Sequence, residues 1–183
     1  DYKIKKNLNI LCFNQNQLIG NGFVLPSGPL REKLSSVNNA EIIIINGKKD
    51  VKFENKILNI NKNLKIFYAN YKPENIKQFK NKKILAIAGI GNPNNFFQLL
   101  KENGLNIEKQ LIFPDHYEFS NTEISKLIEE ADKNNYQILM TEKDYFKVKD
   151  MSHNNIKYLK VSLDINEKEK FLNEITKLYA QNN

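Results

Sequence analysis

The stretch "KKILAIAGIGNPNNFFQLLKENGLNIEKQLIFP", Lys82 to Pro114, decides the fold class. "KKILAIAGI" is a short continuous apolar run, as expected of a buried strand. "NPNNFFQLLKENG" reads as a helix closed by Gly104, and "EKQLIFP" as a second strand. A second unit follows at once. "SNTEISKLIEEADKNN" opens with Ser120 and Glu123 at capping-box spacing and carries Ile124, Leu127, Ile128 and Ala131 on one face. It leads into the strand "YQILM". The third unit is the strand "IKYLKVSLD" and the amphipathic helix "NEKEKFLNEITKLYAQ", striped by Phe171, Leu172, Ile175, Leu178 and Tyr179. This alternation predicts an α/β fold with a mainly parallel sheet and helices on both faces.

The first third reads differently. It offers the strands "LNILCFN" and "EIIIIN", joined by the loop "GNGFVLPSGPLRE", Gly20 to Glu32, and a short amphipathic piece around "LREKLSSV". Two strands with so little helix make a poor independent domain. Residues 1–63 therefore read as the trailing part of a larger α/β domain, residues 64–183 as a second one, and "LKIFYANYKP" as the connection between them. Cys12, the single cysteine, falls in the first strand and reads as core packing. Asp1 leads straight towards that strand, which suggests that something upstream has been removed.

The totals bound the function. With 183 residues, 40% of them hydrophobic, the chain can bury a real core. It has 28 Lys+Arg against 21 Asp+Glu, a net charge of +7, and so leans towards anionic partners. An A+T-rich coding sequence explains the abundance of Lys and Asn equally well. The lysines are scattered, and the one compact basic run, "KIKK" at Lys3 to Lys6, is short, so nucleic acid is not expected as a partner. No apolar stretch reaches the length of a membrane span.

In open parallel sheets ligands lie beyond the carboxyl ends of the strands. Three atypical segments fall there: "GIGNP" (Gly89 to Pro93), "FPDHYEF" (Phe113 to Phe119) and "TEKD" (Thr141 to Asp144). Gly91, His116 and Lys143 are thus expected at one rim. His116 stands beside the carboxylate of Asp115 and can accept a proton near neutral pH. A histidine hydrogen-bonded for loop structure is the alternative. His153, in the polar "MSHNN" turn, reads as simply exposed. "GIGNP" lacks the third glycine of a dinucleotide fingerprint, and a tight strand-to-helix turn accounts for Gly89 and Gly91. Lys143 could sit in a solvated turn or hold a phosphate. In "GNGFVLPSGPLRE", the glycines, Pro26 and Pro29 suit a built loop that presents the adjacent Arg31 and Glu32; an ordinary surface turn is the alternative.

Taken in order, "GNGFVLPSGPLRE", "AIAGIGNPNNFF", "FPDHYEF" and "TEKDYFK" resemble the tetraacyldisaccharide 4′-kinase (lipid A 4′-kinase) family of Gram-negative bacteria, over its carboxy-terminal portion. Family members carry upstream a Walker A phosphate loop and an Asp-Asp-Gly-Phe-Gln segment. No "GxxxxGK[ST]" occurs in the 183 residues, so no cofactor-binding residue is assigned, and a chain like this is expected to be inactive alone. The family pattern often has Ala where Ser27 stands and a second His where this chain has Tyr117.

The resemblance implies the trailing part of a P-loop kinase domain followed by a smaller Rossmann-like α/β domain. It implies transfer of the γ-phosphoryl group of ATP, with Mg²⁺, to the 4′-hydroxyl of an acylated glucosamine disaccharide 1-phosphate. Arg31 and Glu32 would come to the cleft between domains, Arg31 stabilising charge on the transferring phosphate and Glu32 helping to hold Mg²⁺. His116 would act as base at the sugar hydroxyl, and Asp115, Lys143, Gly89, Gly91 and Asn92 would contact the substrate. The place of action would be the cytoplasmic face of the inner membrane, in peripheral contact with anionic lipid. Two other readings remain at this point: a non-catalytic anion-binding module, and a Rossmann-type nucleotide-dependent transferase.

Overall fold

The structure, a computed structural model, describes residues 6–151 and 154–181. Asp1, Lys3, Lys5 and His153 lie outside the described residues. The chain forms two compact units, residues 1–71 with 163–183, and residues 72–162. Each has its own four-stranded sheet with helices on both faces.

The second unit contains the strands β4 (Lys83–Ala88), β5 (Asn106–Ile112), β6 (Tyr136–Thr141) and β7 (Ile156–Leu159), in the order β5-β4-β6-β7 and parallel throughout. Side-chain alternation along β4 builds both core layers. Ile84, Ala86 and Ala88 pack with Phe96, Phe97 and Leu100 of helix α2 (Pro93–Glu102). Leu85 and Ile87 pack on the other face with Ile124 and Ala131 of α3 (Asn121–Asn134) and Val148 of α4 (Glu142–Val148). α2 starts with Pro93 in its first turn and is followed by Gly104 at φ 72°, the usual asymmetry of helix ends. α3 has the capping box expected from its sequence: Ser120 accepts from the Glu123 N–H while the Glu123 carboxylate accepts from Ser120.

The first unit has β1 (Ile10–Asn14), β2 (Ile42–Asn46), β3 (Lys65–Pro73) and β8 (Val161–Ile165), in the order β1-β2-β3-β8, with β1, β2 and β3 parallel. The isoleucine run is β2, buried at Ile42, Ile43, Ile44 and Ile45 because helices cover both its faces. Ile43 and Ile45 meet Phe53 and Ile57 of α1 (Val51–Leu58); Ile42 and Ile44 share a layer with Phe67 and with Phe171 of α5 (Lys168–Gln181).

Several expectations change. "LKIFYANYKP" is no mere connection but the strand β3, with Phe67 and Ala69 buried. "IKYLKVSLD" is two strands, β7 and β8, in different sheets. Asn75 marks the division: its Nδ2 donates to the Tyr158 carbonyl at 3.0 Å and its Oδ1 accepts from the Lys160 N–H at 2.9 Å, while Glu74 N–H donates to the Lys160 carbonyl. The backbone at Lys160 is thereby satisfied outside a regular ladder. Residues 163–183, which include most of β8 and all of α5, fall in the first compact unit. Helix α1, capped by Asp50, was not anticipated. Cys12 is exposed, since β1 is an edge strand among the described residues. Of the α5 stripe, Leu172 and Tyr179 are exposed.

Candidate functional site

The second unit places its atypical loops at a topological switch point. β4 is followed by α2 on one face of the sheet and its neighbour β6 by α4 on the other, the arrangement that in open parallel sheets marks the carboxyl ends of the two strands as the usual place for a ligand. The loop after β5 joins them there.

That loop is a tight turn, closed by the Tyr117 N–H donating to the Pro114 carbonyl at 3.1 Å. His116 occupies it at φ 63°, a left-handed conformation uncommon for residues other than glycine. The Asp115 carboxylate accepts from the His116 N–H at 3.0 Å, and its other oxygen stands 3.8 Å from His116 Nε2. The His116 ring is 78% exposed. Lys143, in the first turn of α4, reaches across with Nζ 2.9 Å from Asp115 Oδ1. That hydrogen bond and charge hold the Asp115 carboxyl below the usual carboxylate range. Gly91 lies against the same group, since a Cβ there would come within 3.5 Å of Asp115 Oδ2. His116, Asp115, Lys143 and Gly91 therefore share one rim, as the sequence pattern implied. Asn92 is the residue preceding α2, and its side chain makes no capping bond.

Below this exposed layer is a buried one. Asp144 is fully buried. Its Oδ2 accepts from the Gly89 N–H at 2.8 Å and from the Thr141 hydroxyl at 2.7 Å, and its Oδ1 lies 3.2 Å from Lys147 Nζ. Gly89 is closely fitted here: an added Cβ would stand 3.1 Å from Asp144 Oδ1 and 3.4 Å from the Pro114 carbonyl, so these neighbours would have to give by a few tenths of an ångström. Lys147 also donates to the Tyr117 carbonyl at 3.2 Å. Beside it, the Tyr117 phenol donates to Glu123, which holds Glu123 down at about 2 together with the larger effect of the Ser120 hydroxyl, and raises the phenol itself. Phe113, Tyr117 and Phe119 stack mutually at 4.9 to 5.1 Å between centroids and stiffen the loop.

Asp144 and Lys147 were not among the sequence candidates. One signal existed, because Thr141 and Asp144 stand at the spacing of an N-cap pair, and Thr141 does accept from the Asp144 N–H. What "TEKD" presents is thus the start of a helix and not a free turn.

Arg31 and Glu32 belong to the first unit. The loop before them is internally built: Leu25 N–H donates to the Leu30 carbonyl, Leu30 N–H to the Phe23 carbonyl, and Asn21 bridges the Ser27 carbonyl and the Phe23 N–H. At Gly28 a Cβ would fall 2.3 Å from the Phe23 carbonyl oxygen, so only glycine fits. Arg31 and Glu32 are exposed on the wall of a groove of about 480 Å³ that Leu11, Phe13, Leu18 and Leu34 also line.

The model of the tetraacyldisaccharide-1-P 4′-kinase family matches residues 1–180. The chain belongs to that family. It is 40% identical over 185 residues to the tetraacyldisaccharide 4′-kinase of Pelagibacter ubique, covering 100% of this chain and 59% of that protein. It is 34% identical to the enzyme of that name from Haemophilus influenzae, covering 98% and 54% respectively, and 38% identical to that from Rickettsia akari, covering 92% and 51%. The chain spans somewhat more than half the length of these relatives. No helix among the described residues is long and apolar enough to cross a membrane.

Proposed function

We propose that this chain serves the reaction of its family, transfer of the ATP γ-phosphoryl group to the 4′-hydroxyl of a tetraacyldisaccharide 1-phosphate. The observation that carries the reading is the rim of the second unit: a solvent-facing imidazole, a carboxylate beside it and a lysine, gathered at the carboxyl ends of parallel strands. Phosphoryl transfer asks a protein mainly for positioning and charge stabilisation, with a base to take the proton of the attacking hydroxyl. His116 is the candidate base. Asp115 can orient the ring, and Lys143 can meet an anionic group of the substrate.

In the first unit Arg31 is the candidate for stabilising charge on the transferring phosphate. No three His, Cys, Asp or Glu side chains come together among the described residues. Glu32 fits Mg²⁺ as a single carboxylate ligand, a common arrangement because this ion keeps water and substrate phosphate oxygens for its other positions. When bound, the ion would neutralise phosphate charge. The place of action proposed is the cytoplasmic face of the inner membrane, where an acylated substrate resides.

The test is transfer of label from γ-labelled ATP to the disaccharide lipid by a full-length enzyme that contains this chain. His116→Ala is expected to lower kcat by about 10²–10⁴ at any Mg²⁺ concentration. Arg31→Ala and Glu32→Ala are expected to produce defects that depend on Mg²⁺. Equal responses of all three to Mg²⁺ would contradict this division of roles.

A further inference from the structure

Asp144 and Lys147 have no part in the proposed chemistry, yet their side chains join the segments that follow β4, β5 and β6. Asp144 is fully buried, and a charge in such a place is costly unless it is paired and hydrogen-bonded. Its carboxylate is saturated by partners from three places. Gly89 N–H comes from the end of β4, the Thr141 hydroxyl from the end of β6, and Lys147 Nζ from the next turn of α4. Lys147, with its side chain 23% exposed, passes the connection on to the Tyr117 carbonyl, immediately after His116.

We propose that Asp144, acting through Lys147, is the positioning residue of this rim: it fixes the turn at Gly89 and the main chain after His116, and so sets where Asp115 and His116 stand. The inference deepens the kinase reading and rests on it for its functional consequence. Its geometry supplies what the exposed layer lacks. The Asp115–Lys143 pair is about half exposed on both sides, and an ion pair of that kind holds little by itself. The buried carboxylate works in a low dielectric, where each of its hydrogen bonds is stronger. It also spans the switch point, taking the Gly89 N–H beyond β4 and the Thr141 hydroxyl at the end of β6 on one oxygen.

The test has two readouts. In the 183-residue chain, backbone resonances of Gly89 and of residues 115–118 are followed in Lys147→Met, Lys147→Arg and Asp144→Asn. Lys147→Met is expected to move or broaden the signals of residues 115–118 while those at the far end of α3 keep their places. Lys147→Arg, which can still donate to both oxygens, is expected to restore them. Asp144→Asn can still accept from Gly89 and Thr141, so its effect should appear at residues 115–118 more than at Gly89. In the full-length enzyme, Lys147→Met is expected to lower kcat by about 10²-fold, the cost of displacing a reacting group by about an ångström, with KM for the lipid changed little and with recovery in Lys147→Arg.

Unchanged signals at residues 115–118 in Lys147→Met would overturn the proposal. So would a loss of melting temperature with normal kcat, or an equal defect in Lys147→Arg. A full-length enzyme without phosphoryl transfer would sink the kinase reading, whereas the resonance shifts and their rescue by arginine would still support the positioning claim.

Discussion

The conformation of His116 allows its structural and functional roles to be separated. At φ 63° an L-residue bears a penalty of roughly 1–2 kcal/mol that glycine escapes. Glycine in turn gives the unfolded chain more freedom, which offsets about 0.4–1 kcal/mol of that relief. The ring is 78% exposed, so truncating it removes little burial. His116→Gly should therefore be as stable as the parent chain or more stable by up to about 1.5 kcal/mol, whereas His116→Ala keeps the backbone penalty. Urea unfolding followed by circular dichroism measures both. In the full-length enzyme the two variants should nevertheless share one kinetic defect, a fall of about 10²–10⁴ in kcat, because both lack the imidazole proposed as the base. A His116→Gly chain less stable than its parent by more than about 2 kcal/mol would mean that the ring holds the loop together, and near-normal turnover in either variant would remove His116 from the mechanism.

Glu123 should give stability a specific pH dependence. Its folded value, about 2, lies below the ordinary 4.5, so its contribution is complete above about pH 4.5 and lost as pH falls towards 2. The gap in urea midpoint between the parent and Glu123→Gln should close over that interval, and a gap unchanged from pH 6 to pH 2 would show that the carboxylate is not held as described. Asn75→Ala removes two hydrogen bonds that fix the backbone between β7 and β8 and should cost about 1–3 kcal/mol in the same assay; an unchanged urea midpoint would show that they do not hold it. Cys12 in the 183-residue chain should react with a thiol reagent under native conditions at a rate close to that in urea, since it is exposed on β1; strong protection would mean that this strand is covered.

The central elements were legible because local and global signals agree there. The run of "ILAIA" is apolar at every position, and β4 is buried on both faces. Ser120 and Glu123 announce α3 by a contact confined to four consecutive residues. Where the reading failed, the deciding partner lay far away in the chain. Nothing around Lys160 says that a strand ends there, because the side chain that divides β7 from β8 is Asn75, more than eighty residues earlier. Helix α1 was hidden for a different reason. Its buried side is just Phe53 and Ile57, set among lysines, Glu54 and Asn55, a stripe too thin to stand out without the sheet it covers.

The same distinction runs through the site. His116, Asp115 and Lys143 were readable because a parallel sheet sends the segments after its strands to one rim, and unusual residue types mark those segments. The layer beneath left almost no mark. Lys147 reads as one more lysine in a lysine-rich chain, and Asp144 as one more charge in a turn. Their importance comes from hydrogen bonds to the Gly89 N–H and the Tyr117 carbonyl, and every residue but proline offers the same two backbone groups. A side chain that recognises another side chain leaves a pair of residue types to be noticed. One that recognises backbone leaves at most a requirement for space, which here is the glycine at position 89, whose Cβ would come within 3.1 Å of the carboxylate it serves. The exposed groups able to act on a substrate are thus written in residue identity, and the buried groups that aim them are written in the path of the main chain.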